Sequence, residues 1–141
     1  MLKHELVQAF LDTASFQWDP HKGFRLASGA FSPLYVDCRV LLAHPRPRQL
    51  VAQLAFDALS GLDIECLGGM ELGAIPLATA ISAHALTASP PREWRTFVVR
   101  KQAKDHGLGK LIEGAVKAGD RAVVVDDVLT TGGSEIGRAH V

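Results

Sequence analysis

The sequence predicts an α/β fold in which a parallel β-sheet is flanked by helices on both faces. Short apolar runs that suit strands, at 64–67, 96–99 and 123–125, alternate with longer segments in which apolar residues recur at helical spacing. This alternation is typical of βαβ units, whose crossover helices cover a parallel sheet. The chain has 141 residues, enough to enclose one hydrophobic core, so we expect a single domain.

The first part of the chain predicts a helix followed by short strands. Apolar side chains recur every three or four residues from Leu2 to Ala14, which indicates an amphipathic helix. Its apolar stripe is interpreted as a core or subunit contact, because the opposite face lacks the cationic cluster of a membrane-surface helix. Segment 24–42 contains strand-like pieces interrupted by turns at 28–29 and 32–33.

The middle of the chain predicts two further helices and two strands. Pro45 and Pro47 suit the start of a helix that continues to Gly61, a residue type favoured just beyond helix ends. A strand at 64–67 and a helix of small apolar residues at 75–86 follow. The Ser-Pro-Pro run at 89–91 predicts a loop before the strand at 96–99.

Composition excludes several classes of function. Lysine plus arginine and aspartate plus glutamate both number 15, so no basic field exists to attract nucleic acid. No apolar run approaches the roughly 20 residues that span a bilayer. Glu5 and Asp12 interrupt the apolar pattern at the N-terminus, which argues against a secretory signal and favours a cytoplasmic protein. Cys38 and Cys66 lie far apart without metal-ligand spacing, so we expect reduced thiols and no protein-bound metal.

The most informative segment is 121–134, RAVVVDDVLTTGGS. A buried parallel strand at 123–125 would place Asp126 and Asp127 at its carboxyl end, where open α/β sheets bind ligands. The hydroxyls and unhindered N–H groups of 130–134 suit a phosphate, and carboxylates suit sugar hydroxyls. The pattern predicts a site for a phosphorylated sugar. The alternative is a strand and tight turn in which the acidic pair caps a helix.

A second segment, 97–114, combines a short strand with a loop rich in cations and glycine. Arg100, Lys101, Lys104, His106 and Lys110 are interleaved with glycines, so the loop could fold over an anion and neutralise a leaving pyrophosphate. The alternative is a solvated charged loop, which is the usual state of lysine-rich segments.

Four blocks together resemble one enzyme family. Segment 121–134 resembles the phosphoribosyl-pyrophosphate (PRPP) motif of type I phosphoribosyltransferases. The pattern RKxxKDHGxGKxIEG from Arg100 is similar to the catalytic loop of orotate phosphoribosyltransferases. Segments 24–39 and 68–78 are similar to that family's orotate-side segment and pyrophosphate-side loop. Ala27 and Leu72 depart from the pattern, because some members carry lysine at both positions, so those two contacts are not carried over.

The resemblance implies the type I phosphoribosyltransferase fold with an N-terminal base-binding segment. It implies transfer of phosphoribose from PRPP to orotate, giving orotidine 5′-monophosphate and pyrophosphate in pyrimidine synthesis. Mg²⁺ would be bound mainly through PRPP. The family works as homodimers in which loop 100–110 covers the neighbouring subunit's site.

Residue roles follow from the same resemblance. Asp126 and Asp127 would hold the ribose hydroxyls, 131–134 the 5′-phosphate, and Lys101, Lys104 and His106 the pyrophosphate. Catalysis would rest on Lys104, His106, Asp126 and Asp127. Tyr35 either lines the orotate pocket or is a core aromatic. The full set of expected substrate-binding positions is Tyr35, Val36, Arg100, Lys101, Lys104, His106, Asp126, Asp127, Val128, Leu129, Thr130, Thr131, Gly132, Gly133 and Ser134.

Two other functions use the same pattern. One is a phosphoribosyltransferase for a purine base, against which the orotate-side segment and the KDHG loop argue. The other is a PRPP-sensing regulator without catalysis, against which the complete cationic loop argues.

The last seven residues, EIGRAHV, resemble a translated sequencing adapter more than a natural tail. We therefore expect a phosphoribosyltransferase domain over 1–134 that is incomplete at its C-terminus, and a non-native tail over 135–141.

Overall fold

The structure is a computed structural model, and it describes residues 1–26, 29–101 and 111–128. In these ranges the helices are α1 (Leu2–Asp12), α2 (Cys38–Ala43), α3 (Pro45–Leu59) and α4 (Ala74–Leu86). The strands are β1 (Phe16–Trp18), β2 (Phe24–Arg25), β3 (Phe31–Ser32), β4 (Leu34–Val36), β5 (Cys66–Met70), β6 (Arg95–Val99), β7 (Ile112–Gly114) and β8 (Ala122–Val124). No helix within the described ranges has the length and apolar character needed to cross a bilayer.

The main sheet has four strands in the order β7-β6-β5-β8. Strand β5 pairs in parallel with β6 and β8, and Leu67 is the register partner of both Thr96 and Val123. The predicted α/β fold is confirmed, but the prediction of a wholly parallel sheet is wrong: the sheet is mixed, because β7 pairs antiparallel with β6. The sequence interpretation assigned that segment to the cationic loop. The Arg100 N–H donates to the Leu111 carbonyl at 2.9 Å, which extends the ladder beyond β6.

The core explains why β5 is central. Cys66 and Leu67 are both fully buried and belong to separate apolar clusters, because successive side chains of a strand point to opposite faces. Leu67 packs with Leu77 and Ile81 of α4, which lies between the sheet and α3, and with Trp94, directly before β6. Cys66 packs with Phe97 and Val99 on the other face.

Several predicted boundaries were wrong for local reasons. The strand-like reading of 38–42 fails because the Asp37 carboxylate caps a helix there, accepting hydrogen bonds from the N–H groups of Arg39 and Val40. Helix α3 ends at Leu59 with Ser60 in a right-handed conformation, so Gly61 is not its cap residue. The first helix ends at Asp12 rather than Ala14.

Strand β5 extends to Met70, although its glycines suggested a loop. Gly68 and Gly69 lie so close to the backbones of Phe97 and Val125 that a Cβ at either position would overlap the neighbouring strand. Strand β8 is less buried than expected: Val124 is 44% exposed, while Val123 and Val125 pack against the core. In the described part of the chain β8 is an edge strand: it pairs with β5 on one side and with no strand on the other.

The N-terminal segment forms two small antiparallel pairs, β1 with β4 and β2 with β3. The rings of Phe24 and Tyr35 stack with centroids 5.5 Å apart, which ties the two pairs together. Strand β4 then runs directly into Asp37 and α2.

Ion pairs cluster at the amino ends of the sheet strands. Arg121, before β8, pairs with Asp63 and with Glu65, which precedes β5. Hydrogen bonds from Arg121 lower the pKa of Glu65. Arg95 pairs with Asp120 at 2.8 Å, and that contact lowers the pKa of Asp120. These ion pairs link the segments that precede β5, β6 and β8.

Candidate functional site

A cleft of about 590 Å³ lies at the carboxyl ends of β5 and β8. Residues at or just after the ends of β5, β6 and β8 line it, as expected where parallel strands end at one edge of a sheet, and the end of β4 with the start of α2 completes the lining. The lining consists of Tyr35, Val36, Asp37, Cys38, Arg39, Met70, Glu71, Leu72, Gly73, Lys101, Asp126, Asp127 and Val128.

Strand β8 delivers the acidic pair to this cleft. The Val125 N–H donates to the Gly68 carbonyl at 2.7 Å, so the chain stays paired with β5 until the residue before Asp126. The Asp127 N–H then donates to Asp126 Oδ1 at 2.8 Å. Both carboxylates are half-buried and face the same space as Tyr35 and Val36.

Gly73 allows the Asp127 carboxylate to lie against the start of α4. A Cβ built on Gly73 would overlap the Asp127 carboxylate. Helix α4 nevertheless has no side-chain cap hydrogen bond, so Asp127 is close to the helix without capping it. The carboxylate lies beside the helix N-terminus without capping it, so it remains available to a ligand.

The surroundings of Asp127 oppose its ionisation. Burial is the first cause that raises the pKa of Asp127, followed by its hydrogen bond with Asp126 and the charge of Asp126. The positive charge of Arg39 acts in the opposite direction. A ligand that donates hydroxyl groups to this pair would relieve the crowding of negative charge.

The raised pKa predicts how stability changes with pH. A carboxyl whose pKa is higher in the folded state favours folding most below its unfolded pKa, and this contribution is lost as pH rises through the folded value. We therefore expect the ligand-free Asp127→Asn variant to melt at a higher temperature than the unaltered chain at pH 7. The difference should shrink as pH falls towards 3. Thermal melts by circular dichroism from pH 3 to 8 test this, and a variant that melts lower at pH 7 would contradict it.

Gly73→Ala tests the close approach of Asp127 to α4. The added methyl forces the carboxylate or the helix to move, and overpacking of this kind costs about 1–3 kcal/mol of stability. We expect lower stability in urea melts, together with weaker ligand binding in the cleft. Gly61→Ala is the control, because a Cβ at Gly61 meets nothing within 4 Å. Equal stabilities of the two variants would show that Gly73 does not set the position of Asp127.

Asp37 and Arg39 were not predicted as site residues. Arg39 Nε and Nη2 lie 3.2 and 3.3 Å from Asp37 Oδ1 and Oδ2, and the hydrogen bond from Arg39 lowers the pKa of Asp37. Cys38 lies between these two residues in the sequence. Burial, followed by the charges of Asp127 and Asp37, raises the pKa of its thiol. An aspartate directly before an apolar run is a helix-capping signal, and it could have revealed α2 and hence this corner of the cleft.

Tyr35 and Val36, which the resemblance assigns to an orotate pocket, line the cleft. Tyr35 is half-buried and also stacks on Phe24, so it contributes to packing and to the cleft wall at once. Its contact with orotate stays a prediction.

Glu71 links the ends of β5 and β6. The Glu71 N–H donates to the Val99 carbonyl at 3.0 Å, and the Lys101 N–H donates to Glu71 Oε1 at 2.9 Å. This arrangement fixes the Lys101 backbone at the cleft, and its contact with pyrophosphate stays a prediction. Leu72 is 69% exposed and supplies apolar lining where some relatives were expected to carry lysine.

Arg100 is not brought into this lining. Its guanidinium pairs with Glu113 at 3.2 Å and lines a separate groove with Thr96 and Ile75. The other predicted positions, Lys104, His106, Leu129, Thr130, Thr131, Gly132, Gly133 and Ser134, lie outside the described residues. Their roles stay predictions.

In the described ranges, no group of three or more histidine, cysteine, aspartate or glutamate side chains is arranged to hold a metal ion. The cleft instead offers one adjacent carboxylate pair, and this donor set suits hydroxyl groups.

Comparison with known proteins decides the family. No protein-family model matches the chain. The chain is 39% identical over 142 residues to an orotate phosphoribosyltransferase of Pyrococcus abyssi, a match that covers 99% of this chain and 72% of that enzyme. The chain belongs to the orotate phosphoribosyltransferase family.

Other members of the orotate phosphoribosyltransferase family agree. The Tropheryma whipplei enzyme is 39% identical over 99% of this chain, which spans 63% of that enzyme's length. The crystal structure of the Mycobacterium tuberculosis orotate phosphoribosyltransferase in complex with PRPP matches with a TM-score of 0.73 and 34% identity. That match covers 99% of this chain and 73% of the M. tuberculosis chain. The predicted type I phosphoribosyltransferase fold is confirmed.

Proposed function

We propose that this chain is the larger part of an enzyme that transfers phosphoribose from PRPP to orotate, releasing pyrophosphate. The observation that carries the proposal is the adjacent pair Asp126 and Asp127, held at the carboxyl end of β8 opposite the 35–39 segment. Membership of the orotate phosphoribosyltransferase family supports the choice of substrates. We further propose that residues 1–134 form the domain and that 135–141 are not part of it.

The acidic pair suits the ribose of PRPP. Ionised carboxylates accept hydrogen bonds from sugar hydroxyls, and such charge-assisted bonds are stronger than neutral ones. As the bond between the anomeric carbon and the pyrophosphate oxygen breaks, positive charge grows on the ribose. The nearby charges of Asp126 and Asp127 favour this change electrostatically. Their fixed position also orients the ribose towards the incoming base.

The opposite charge develops on the leaving pyrophosphate, which requires cations. Lys101 lies in the cleft and is anchored through its backbone to Glu71. We propose that Lys104 and His106 act with Lys101, and that 131–134 bind the 5′-phosphate. Mg²⁺ would be held mainly by the phosphates of PRPP and would neutralise their charge.

The base would bind beside Tyr35 and Val36, on the wall of the cleft that faces the acidic pair. We propose that Thr130 also contacts orotate. The ring nitrogen of orotate is itself the nucleophile that attacks the anomeric carbon, and it loses its proton as the new bond forms, so the protein need not supply a nucleophile. We also propose that two copies of the chain form a homodimer in which loop 100–110 of one copy covers the site of the other.

The test is orotate-dependent pyrophosphate release from PRPP and Mg²⁺. Because the chain spans 72% of the P. abyssi enzyme and 63% of the T. whipplei enzyme, it is assayed both as the 141-residue chain and as an extended chain. In the extended chain, residues 1–134 are continued by the C-terminal part of the P. abyssi enzyme. We expect the extended chain to release pyrophosphate with orotate and to show little release with adenine or hypoxanthine.

The assay also tests the second candidate, a purine-base phosphoribosyltransferase. A folded extended chain that prefers adenine or hypoxanthine would overturn the choice of orotate. PRPP binding without pyrophosphate release for any base would favour the non-catalytic regulator. Cooperative unfolding in a calorimeter confirms that the extended chain is folded before either conclusion is drawn.

A further inference from the structure

Arg39 lines the ligand cleft, and the proposed function gives it no role. It lies in the first turn of α2, directly after the 35–36 wall, and its side chain is 61% exposed. Its charge is close enough to act on Asp127, because the Arg39 cation lowers the pKa of that carboxyl against the other influences. Arg39 therefore shares its space with the groups that we propose to hold the ribose.

Asp37 holds the guanidinium of Arg39 in one orientation. Arg39 Nε lies 3.2 Å from Asp37 Oδ1, and Nη2 lies 3.3 Å from Oδ2. Asp37 is itself fixed, because its Oδ1 accepts from the Arg39 N–H at 3.0 Å and its own N–H donates to the Ser15 carbonyl at 2.8 Å. The planar fork of an arginine held along one edge presents its remaining donors in a set direction.

The remaining donor group is Nη1. Within the described residues, Arg39 Nη1 has no hydrogen-bond partner, since the contacts of this guanidinium run through Nε and Nη2 to Asp37. Asp37 is nonetheless a full counter-charge, and its hydrogen bond raises the pKa of Arg39, so the guanidinium stays charged at any physiological pH.

The side chains that line the cleft carry more negative than positive charge, so each cation beside the acidic pair matters for binding an anion. The described lining contains the carboxylates of Asp37, Glu71, Asp126 and Asp127. Its cations are Arg39 and Lys101. An anionic ligand that enters beside Asp126 and Asp127 meets like charge, which must be offset by positive charge facing the ligand.

We propose that Arg39 is a further ligand-binding residue of this site and that its Nη1 donates to an anionic oxygen group of the bound ligand. The group is a phosphate or a carboxylate, both of which match the donors of a guanidinium. The inference rests on the proposed function only for the source of that group, which is pyrophosphate in PRPP or the carboxylate of orotate. Asp37 is the positioning residue that aims Arg39.

The test measures binding of two probes to the 141-residue chain by isothermal titration calorimetry. One probe is inorganic pyrophosphate with Mg²⁺, and the other is orotate. Loss of one charge-assisted hydrogen bond weakens binding about ten- to a hundredfold, so Arg39→Gln should lower the affinity for one of the two probes by that factor. Arg39→Lys keeps the charge without the fork and should lose less. Arg92→Gln is the matched control, because Arg92 is an exposed arginine in a different groove.

The two probes distinguish the sources. Selective loss of pyrophosphate binding assigns Arg39 to the phosphate end of the ligand, and selective loss of orotate binding assigns it to the base. Asp37→Asn keeps an oxygen to cap α2 but removes the counter-charge of Arg39. It should therefore weaken binding of the same probe while changing the melting temperature little.

Two results would overturn the assignment of Arg39. One is Arg39→Gln binding both probes within twofold of the unaltered chain, with or without a lower melting temperature. The other is an equal loss in Arg39→Gln and Arg92→Gln, which would show a non-specific effect of charge. If neither the 141-residue chain nor the extended chain binds either probe, the proposed function fails together with this assignment. Normal binding of both probes by Arg39→Gln rejects the assignment alone.

Discussion

Replacing Asp126 and Asp127 together by asparagine is expected to lower kcat/KM for PRPP in the extended chain by at least about a hundredfold. Each carboxylate would lose a charge-assisted hydrogen bond to the ribose, worth about 1.5–3 kcal/mol, and each single variant should lose about ten- to a hundredfold. The two residues are adjacent and hydrogen-bonded, so their effects need not add. Steady-state kinetics of pyrophosphate release provide the measurement.

Asp57→Asn is the matched control for the acidic pair, because Asp57 is an exposed aspartate of α3 outside the cleft. It should leave kcat/KM unchanged. Melting temperatures separate loss of function from loss of fold, since Asp127→Asn is expected to be more stable than the unaltered chain at pH 7. Unchanged kinetics in both single variants and in the double variant would mean that the carboxylates only shape the turn after β8.

Lys104→Ala is expected to lower kcat in the extended chain roughly a hundred- to a thousandfold. This corresponds to a loss of about 2.7–4 kcal/mol of transition-state stabilisation, as for loss of one preorganised donor. The physical reason is that the charge it would meet develops on pyrophosphate only as the bond breaks, so the loss should appear in kcat more than in PRPP affinity. Lys117→Ala is the control, because Lys117 is exposed in the turn before β8 and its hydrogen bonds, both with Asp120, are made by its backbone N–H and carbonyl. Kinetics with saturating orotate give both parameters.

Mixed subunits test whether Lys104 acts across a dimer. Extended chains carrying Lys104→Ala are mixed with extended chains carrying Asp127→Asn, so that a hybrid dimer regenerates one intact site if the loop acts in trans. Recovered activity supports the proposed arrangement. Mixtures no more active than either parent, with subunit exchange confirmed by mass spectrometry, would place Lys104 in the site of its own subunit.

The site at the carboxyl end of β8 could be predicted because its signal is local. A β-branched strand must deliver the residues that follow it to the sheet edge, so Asp126 and Asp127 were placed from the sequence alone. Tyr35, Val36, Lys101 and Val128 reach the same cleft, where the resemblance had placed them among the substrate-binding residues.

Other contributions depend on contacts between distant parts of the chain. The fit of Gly73 against Asp127 arises because β5 and β8 end side by side. The residues around Gly73 and those around Asp127 in the sequence give no sign of this contact. Likewise, β7 is short and was hidden in a charged segment, because its strand character comes from pairing with β6. Arg39 enters the cleft only because Asp37 starts a helix directly after β4, a change of backbone direction that the strand-like pattern of 24–42 concealed.

The measurement that tests the central claim most directly is a crystal structure of the 141-residue chain with PRPP and Mg²⁺. The account predicts that the ribose hydroxyls of PRPP lie within hydrogen-bond distance of the Asp126 and Asp127 carboxylates, in the cleft bounded by Tyr35 and Gly73. PRPP bound elsewhere, for example in the groove beside Phe56 and His84, would contradict the account. So would PRPP bound in the cleft with its phosphates against the acidic pair and its ribose hydroxyls pointing away from it.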